Sequence, residues 1–127
     1  HKRRIIMAIR TVKPVLKAGY EIPATFTGIT TRRDEDGEVL GFRIEFEEIE
    51  GIYLNFFRDG DYNPMEQREL VNLARQLGVT TVDDEAPEEY LNPKAGTKVL
   101  VVATANGDYT NYSFRKAIVP AKEYARL

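Results

Sequence analysis

The 127-residue sequence contains no cysteine, and that absence removes disulfide frameworks, thiolate zinc sites and thiol nucleophiles together. Its only histidine is His1, ahead of Lys2-Arg3-Arg4-Ile5-Ile6-Met7, and residues 1–6 read as the remnant of a tag before a start at Met7. With no other imidazole in the chain, Ser-His-Asp and Cys-His catalysis and His-based metal sites are excluded. Long apolar runs are missing as well. Val99-Leu100-Val101-Val102-Ala103 is the longest strongly apolar run, which suits a buried strand and falls far short of the roughly 20 residues that span a bilayer. Arg10, Lys13 and Lys17 break up the N-terminal segment and leave no apolar stretch for a secretory signal. A cytoplasmic protein without a membrane partner is the expectation.

A strong net charge is also lacking, at −2, but the charges are unevenly placed. Residues 1–17 carry Lys2, Arg3, Arg4, Arg10, Lys13 and Lys17 with no acid, whereas residues 34–50 carry eight acids against Arg43 alone. Asp83, Asp84, Glu85, Glu88 and Glu89 make a second acidic stretch, and Arg115, Lys116, Lys122 and Arg126 restore positive charge near the C-terminus. Such polarity gives a surface on which one basic region can meet phosphates. Catalysis would have to rest on carboxylates. Asp59 with Asp61, or Asp83 with Asp84 and Glu85, offer oxygen ligands for a hard cation. The run from Asp59 echoes a calcium loop, yet its twelfth position is Leu70 where a glutamate is needed, and turn formation accounts for it better. No catalytic residue, metal site or cofactor is assigned, and a non-enzyme is expected. Asn111-Tyr112-Ser113 matches a glycosylation acceptor by coincidence, since it falls within a strand pattern.

Residues 1–18 read as a basic arm, 19–116 as the folded domain and 117–127 as a tail containing Pro120. Gly19 to about Arg32 has the β-branched content of a strand. Asp36-Gly37 closes a polar loop, and Phe42, Ile44 and Phe46 then alternate with Arg43, Glu45 and Glu47. In a third strand Ile52, Leu54 and Phe56 alternate with Tyr53, Asn55 and Phe57. Asn63 caps a helix over 64–77, with Pro64 first, Leu70, Leu73, Ala74 and Leu77 on one face, and Gly78 as its stop. Thr80–Gly96 reads as an irregular connection, Thr97–Ala105 as a fourth strand and Tyr109–Lys116 as a fifth. The expected core joins Ile44, Phe46, Leu54, Phe56, Leu73, Leu77, Leu100 and Val102. Three meandering strands, a helix and a final hairpin make a mainly β protein, patterned as a five-stranded oligonucleotide-binding (OB) barrel with its helix between strands 3 and 4. The same order can also build an open α+β sandwich.

The stretches Gly19-Tyr20-Glu21-Ile22, Phe42-Arg43-Ile44-Glu45-Phe46 and Leu70 to Val79 carry a family likeness, as do Leu91 to Val101 and Gly107 to Phe114. Over residues 19–116 the chain resembles the OB-fold single-stranded-DNA-binding proteins of phages and mobile elements. The resemblance implies binding of single-stranded DNA in replication or recombination inside a bacterial host cell, with replication proteins as partners. Members often carry an acidic C-terminal tail, whereas this sequence closes on Arg126-Leu127.

Single-strand binding needs flat rings for bases and cations along the backbone path. On such barrels the surface is the outer face of the second and third strands with the flanking loops. Parity places Arg43, Tyr53, Asn55 and Phe57 there. Arg32 and Arg33 fall in the first loop, Arg58 ends the third strand, and Tyr109, Asn111 and Arg115 share a face of the fifth. Glu45 and Glu47, on the same parity as Arg43, oppose phosphate unless they are paired. Tyr53 and Phe57 can instead pack under the Thr80–Gly96 connection or in a homodimer interface. The competing function is a β-rich protein-interaction or virion-assembly module that uses the same aromatics.

Overall fold

The computed structural model describes residues 12–58 and 61–114. The basic segment 1–11, the tail 117–127 and Arg115 lie outside the described residues. Its strands are β1 (Glu21–Arg33), β2 (Val39–Phe46), β3 (Ile52–Asn55), β4 (Phe57–Arg58), β5 (Asp61–Tyr62), β6 (Lys98–Asn106) and β7 (Tyr109–Ser113). Helix α1 (Pro64–Gln76) stands between β5 and β6, and α2 (Glu88–Leu91) runs into a 3₁₀ turn at Asn92–Lys94. Five strands form one antiparallel sheet in the order β3-β2-β1-β6-β7, and β4 and β5 pair separately. Among the described residues β3 and β7 are not paired, so the sheet is open along that seam.

β1 is long because it serves two neighbours. Glu21–Thr25 pair with β6, Phe26–Arg33 pair with β2, and a bulge at Phe26/Gly28 marks the change of partner. A second irregularity lies at the other end, where Arg32 pairs with Gly41 but Arg33 with Val39. A Cβ on Gly41 would stand 2.0 Å from the Leu54 carbonyl oxygen, so only glycine allows β3 to close on β2 there. Arg32 and Arg33 are therefore strand residues, not loop residues: the ladder to Gly41 and Val39 holds them, and the turn begins at Asp34.

The core gathers Phe26, Phe42, Ile44, Phe46, Leu54 and Phe56 under α1, whose Leu70, Leu73 and Ala74 face inward together with Leu77 at its C-terminal cap. Phe42 and Phe56 meet edge to face at 5.0 Å. Asn63 Oδ1 caps α1 by accepting from Met65 N at 3.1 Å. At the far end Gly78 takes φ +79°, Gly78 N donates to Arg75 O and Val79 N to Ala74 O, which satisfies the last carbonyls. In β6 the buried residues are Val99, Val101 and Ala103, whereas Leu100 and Val102 are only half-buried on the opposite face. The expectation for Leu100 and Val102 is thus corrected by one residue of register. The uniformly apolar run offers no alternation from which parity can be read. The expected third strand also stops early, because Phe57–Arg58 leave the sheet to pair with Asp61–Tyr62. The Thr80–Gly96 connection, expected to be irregular, contains α2 and the 3₁₀ turn.

Polar side chains finish what the ladders leave open. Thr25 N, past the end of β2, donates to Glu48 Oε1 at 2.6 Å, and Thr25 Oγ1 to Oε2 at 2.6 Å. Beyond the end of β6, Ile29 N donates to Asn92 Oδ1 and Thr31 N to Glu88 Oε2, both at 2.8 Å. Helix α1 serves both sides of the seam. On the β3 side Asn55 N donates to Glu66 Oε1 at 3.1 Å. On the other side Phe114 N donates to Glu69 Oε1 at 2.7 Å, and Leu100 N to Gln76 Oε1 at 2.8 Å. Buried backbone N–H groups demand partners, and carboxylates accepting from them make strong ones. Partial burial pushes Glu48 up, but the two bonds from Thr25 and the Lys98 ammonium at 3.0 Å outweigh it and hold this carboxyl at about 2. Glu88 is lowered in the same way, with its burial outweighed by backbone and Thr31 hydrogen bonds and the charge of Arg33.

Candidate nucleic-acid interface

The outward surface of β1–β3 is built in cross-strand rows. Thr30, Arg43 and Tyr53 lie opposite one another in successive strands, and Arg32, Gly41 and Asn55 form the next row. Because Gly41 carries no side chain, nothing rises between Arg32 and Asn55. Arg32 Nη1 reaches across to donate to Asn55 Oδ1 at 2.5 Å. The Arg32 guanidinium carbon lies 5.3 Å from the centre of the Tyr53 ring, and that of Arg43 lies 5.5 Å from it. These are cation–π distances, and Tyr53 nevertheless remains 48% exposed. Four of the expected site residues, Arg32, Arg43, Tyr53 and Asn55, are therefore gathered into one cluster. Glu45 answers its part of the charge conflict anticipated on this face, because its carboxylate forms an ion pair with Arg43 Nε, whereas Glu47 is exposed. Gly51 backs that pair: a Cβ there would come within 3.2 Å of both Arg43 Nε and Glu45 Oε1.

The remaining expected residues are distributed elsewhere. Phe57, also 48% exposed, meets Tyr62 edge to face at 5.6 Å on the small hairpin. Arg58 lies beside it in β4, paired with Asp61. The Thr80–Gly96 connection holds the free edge of β1, through Asn92 to Ile29 and Glu88 to Thr31. Arg33 is bound into the scaffold, donating to Gly37 O at 2.8 Å and to Glu85 O at 2.5 Å. Tyr109 and Asn111 belong to β7, at the opposite edge of the sheet from Tyr53. Asn111 lines a cleft of about 220 Å³ with Glu66, Glu69 and Thr104.

Two contributors were not anticipated. Gly41 spaces the rows, and a glycine inside a strand pattern is a recognised signal of close backbone approach. Tyr62 completes the hairpin's aromatic pair, set opposite Phe57 by the pairing of β4 with β5. Among the described residues no group of three or more His, Cys, Asp or Glu side chains is arranged to hold a metal ion. No helix among them is long and apolar enough to cross a membrane. No protein-family model, curated protein or solved structure matches this chain.

Proposed function

We propose that this protein binds single-stranded DNA without chemistry, as an accessory to replication or recombination, through the outward face of β1–β3. The observation that carries this reading is the half-exposed Tyr53 ring with two guanidiniums within 5.5 Å of its centre. A ring of this kind accepts any base by stacking, and guanidiniums beside it meet the flanking phosphates. The proposal includes an OB-type barrel. Supporting it, β1 is shared between two halves of the sheet, and α1 spans the β3–β7 seam with hydrogen bonds to both sides. An open α+β sheet with a helix on one face is the alternative architecture.

The direct test is fluorescence anisotropy of a labelled oligothymidine at low and high salt. Saturable binding that weakens steeply with salt is expected, because phosphate contacts release counterions. Absence of binding at low salt refutes the reading. A second reading, a protein-interaction or virion-assembly module, is favoured by Phe57, Tyr62 and Met65, each 48–56% exposed around the β4–β5 hairpin. On that reading the oligonucleotide does not bind.

A further inference from the structure

We infer that Asn55 supplies this face with a hydrogen-bond donor for the acceptor edge of a stacked base, a thymine carbonyl among them, by presenting its amide NH₂ beside the Tyr53 platform. The inference rests on the binding reading and deepens it. A side-chain amide offers both an acceptor and two donors, and ordinarily either end can be turned to a ligand. At Asn55 the choice is already made. Arg32 has only donors, so the amide must turn its oxygen to the guanidinium, and Arg32 Nη1 holds Oδ1 at 2.5 Å. The backbone beneath is held as well, since Asn55 N donates to Glu66 Oε1 at 3.1 Å and Asn55 pairs with Gly41. Among the described residues no acceptor meets Nδ2, which leaves the NH₂ group as the part of the side chain available to a ligand.

Tyr53 and Asn55 are two positions apart on one strand and share its outward face, a separation of roughly 7 Å. A base stacked on the ring thus has its edge within reach of the amide. With Oδ1 facing Arg32, the amide turns its donors to that edge, where ring nitrogens and carbonyls are the acceptors. A thymine carbonyl needs only a donor. The missing side chain at Gly41 keeps the Arg32–Asn55 bridge short and unobstructed.

The experiment compares an oligothymidine with the same strand carrying difluorotoluene, which keeps the shape of thymine and lacks its carbonyl acceptors. One hydrogen bond of ordinary strength predicts about five- to tenfold tighter binding of thymine by the unaltered protein. Asn55→Asp keeps an acceptor for Arg32 but removes both donors, so the ratio should fall to near one whatever its added charge does to overall affinity. Asn55→Leu should remove the ratio without that charge, with melting curves confirming that both variants fold. Equal binding of the two strands by the unaltered protein overturns this hydrogen bond while leaving the binding reading intact. A ratio that survives in Asn55→Asp also overturns it, because the donor then lies elsewhere. Failure to bind either strand removes the binding reading itself.

Discussion

Replacing Glu48 with glutamine isolates a charge that ties two strands together. The carboxylate accepts from Thr25 N and Thr25 Oγ1, each at 2.6 Å, and from Lys98 Nζ at 3.0 Å. Held at about 2 against an ordinary 4.5, it binds fewer protons in the folded chain than in the unfolded one. Its contribution is therefore complete above pH 4.5 and is lost as pH falls through about 2. At about 1.4 kcal/mol per unit the shift sets a ceiling of roughly 3 kcal/mol. The Glu48 side chain is 28% exposed and that of Lys98 is 63% exposed, so solvent screening reduces the contribution to about 1–2 kcal/mol. Glutamine keeps an acceptor for Thr25 N and removes the charge. Urea unfolding of both proteins at pH 7 and at a series of pH values down to 2 should show Glu48→Gln less stable at neutrality by that amount. The gap should close progressively with acid. A gap that stays constant with pH, or that is absent at pH 7, refutes the linkage.

Tyr53→Ala should weaken oligothymidine binding about 5- to 150-fold, the equivalent of one stacked base, with its melting curve preserved; an unchanged affinity places the binding face elsewhere. Glu45→Gln should strengthen binding and steepen its salt dependence, because it releases Arg43 from its ion pair and removes a negative charge from the face; weaker binding contradicts the role given to Arg43. Gly41→Ala should lower the urea midpoint by an amount corresponding to about 1–3 kcal/mol, since its Cβ would stand 2.0 Å from Leu54 O; an unchanged midpoint shows that the strands separate freely. Glu69→Ala leaves Phe114 N without its acceptor and should destabilise by about 1–3 kcal/mol, whereas Glu69→Gln, which retains an acceptor, should lose less; equal losses show that the hydrogen bond is not the cause.

Local patterns were readable where a physical period was present. Phe42, Ile44 and Phe46 alternate with polar neighbours and are buried together, and the Asn63-Pro64 start and Gly78 stop bracket α1 to within a residue. Val99 to Ala103 defeated the same approach, since five apolar residues in a row leave the buried face undetermined. The bulges in β1 were hidden too, because a change of pairing partner depends on where distant strands end. On the candidate face, parity brought out Arg43, Tyr53 and Asn55. It could not show that Arg32 would extend the ladder and cross Gly41, or that Arg33 would be tied to Glu85. The acidic stretches were the least legible. In the sequence Glu48 and Glu88 are only members of acidic stretches, yet each accepts from a strand edge that the sequence cannot reveal without the sheet.

These side-chain acceptors also order events in time. Thr25 waits for a residue 23 positions later, Thr31 for one 57 later and Ile29 for one 63 later. A chain emerging from the ribosome would complete β1, β2 and β3 long before Glu88 and Asn92 exist to cover the upper half of β1. During that interval the edge presents open N–H groups to any passing strand, the circumstance in which growing chains associate wrongly. Slower synthesis across residues 34–92 lengthens that exposure, and a chaperone that covers β1 over the same window would shorten it.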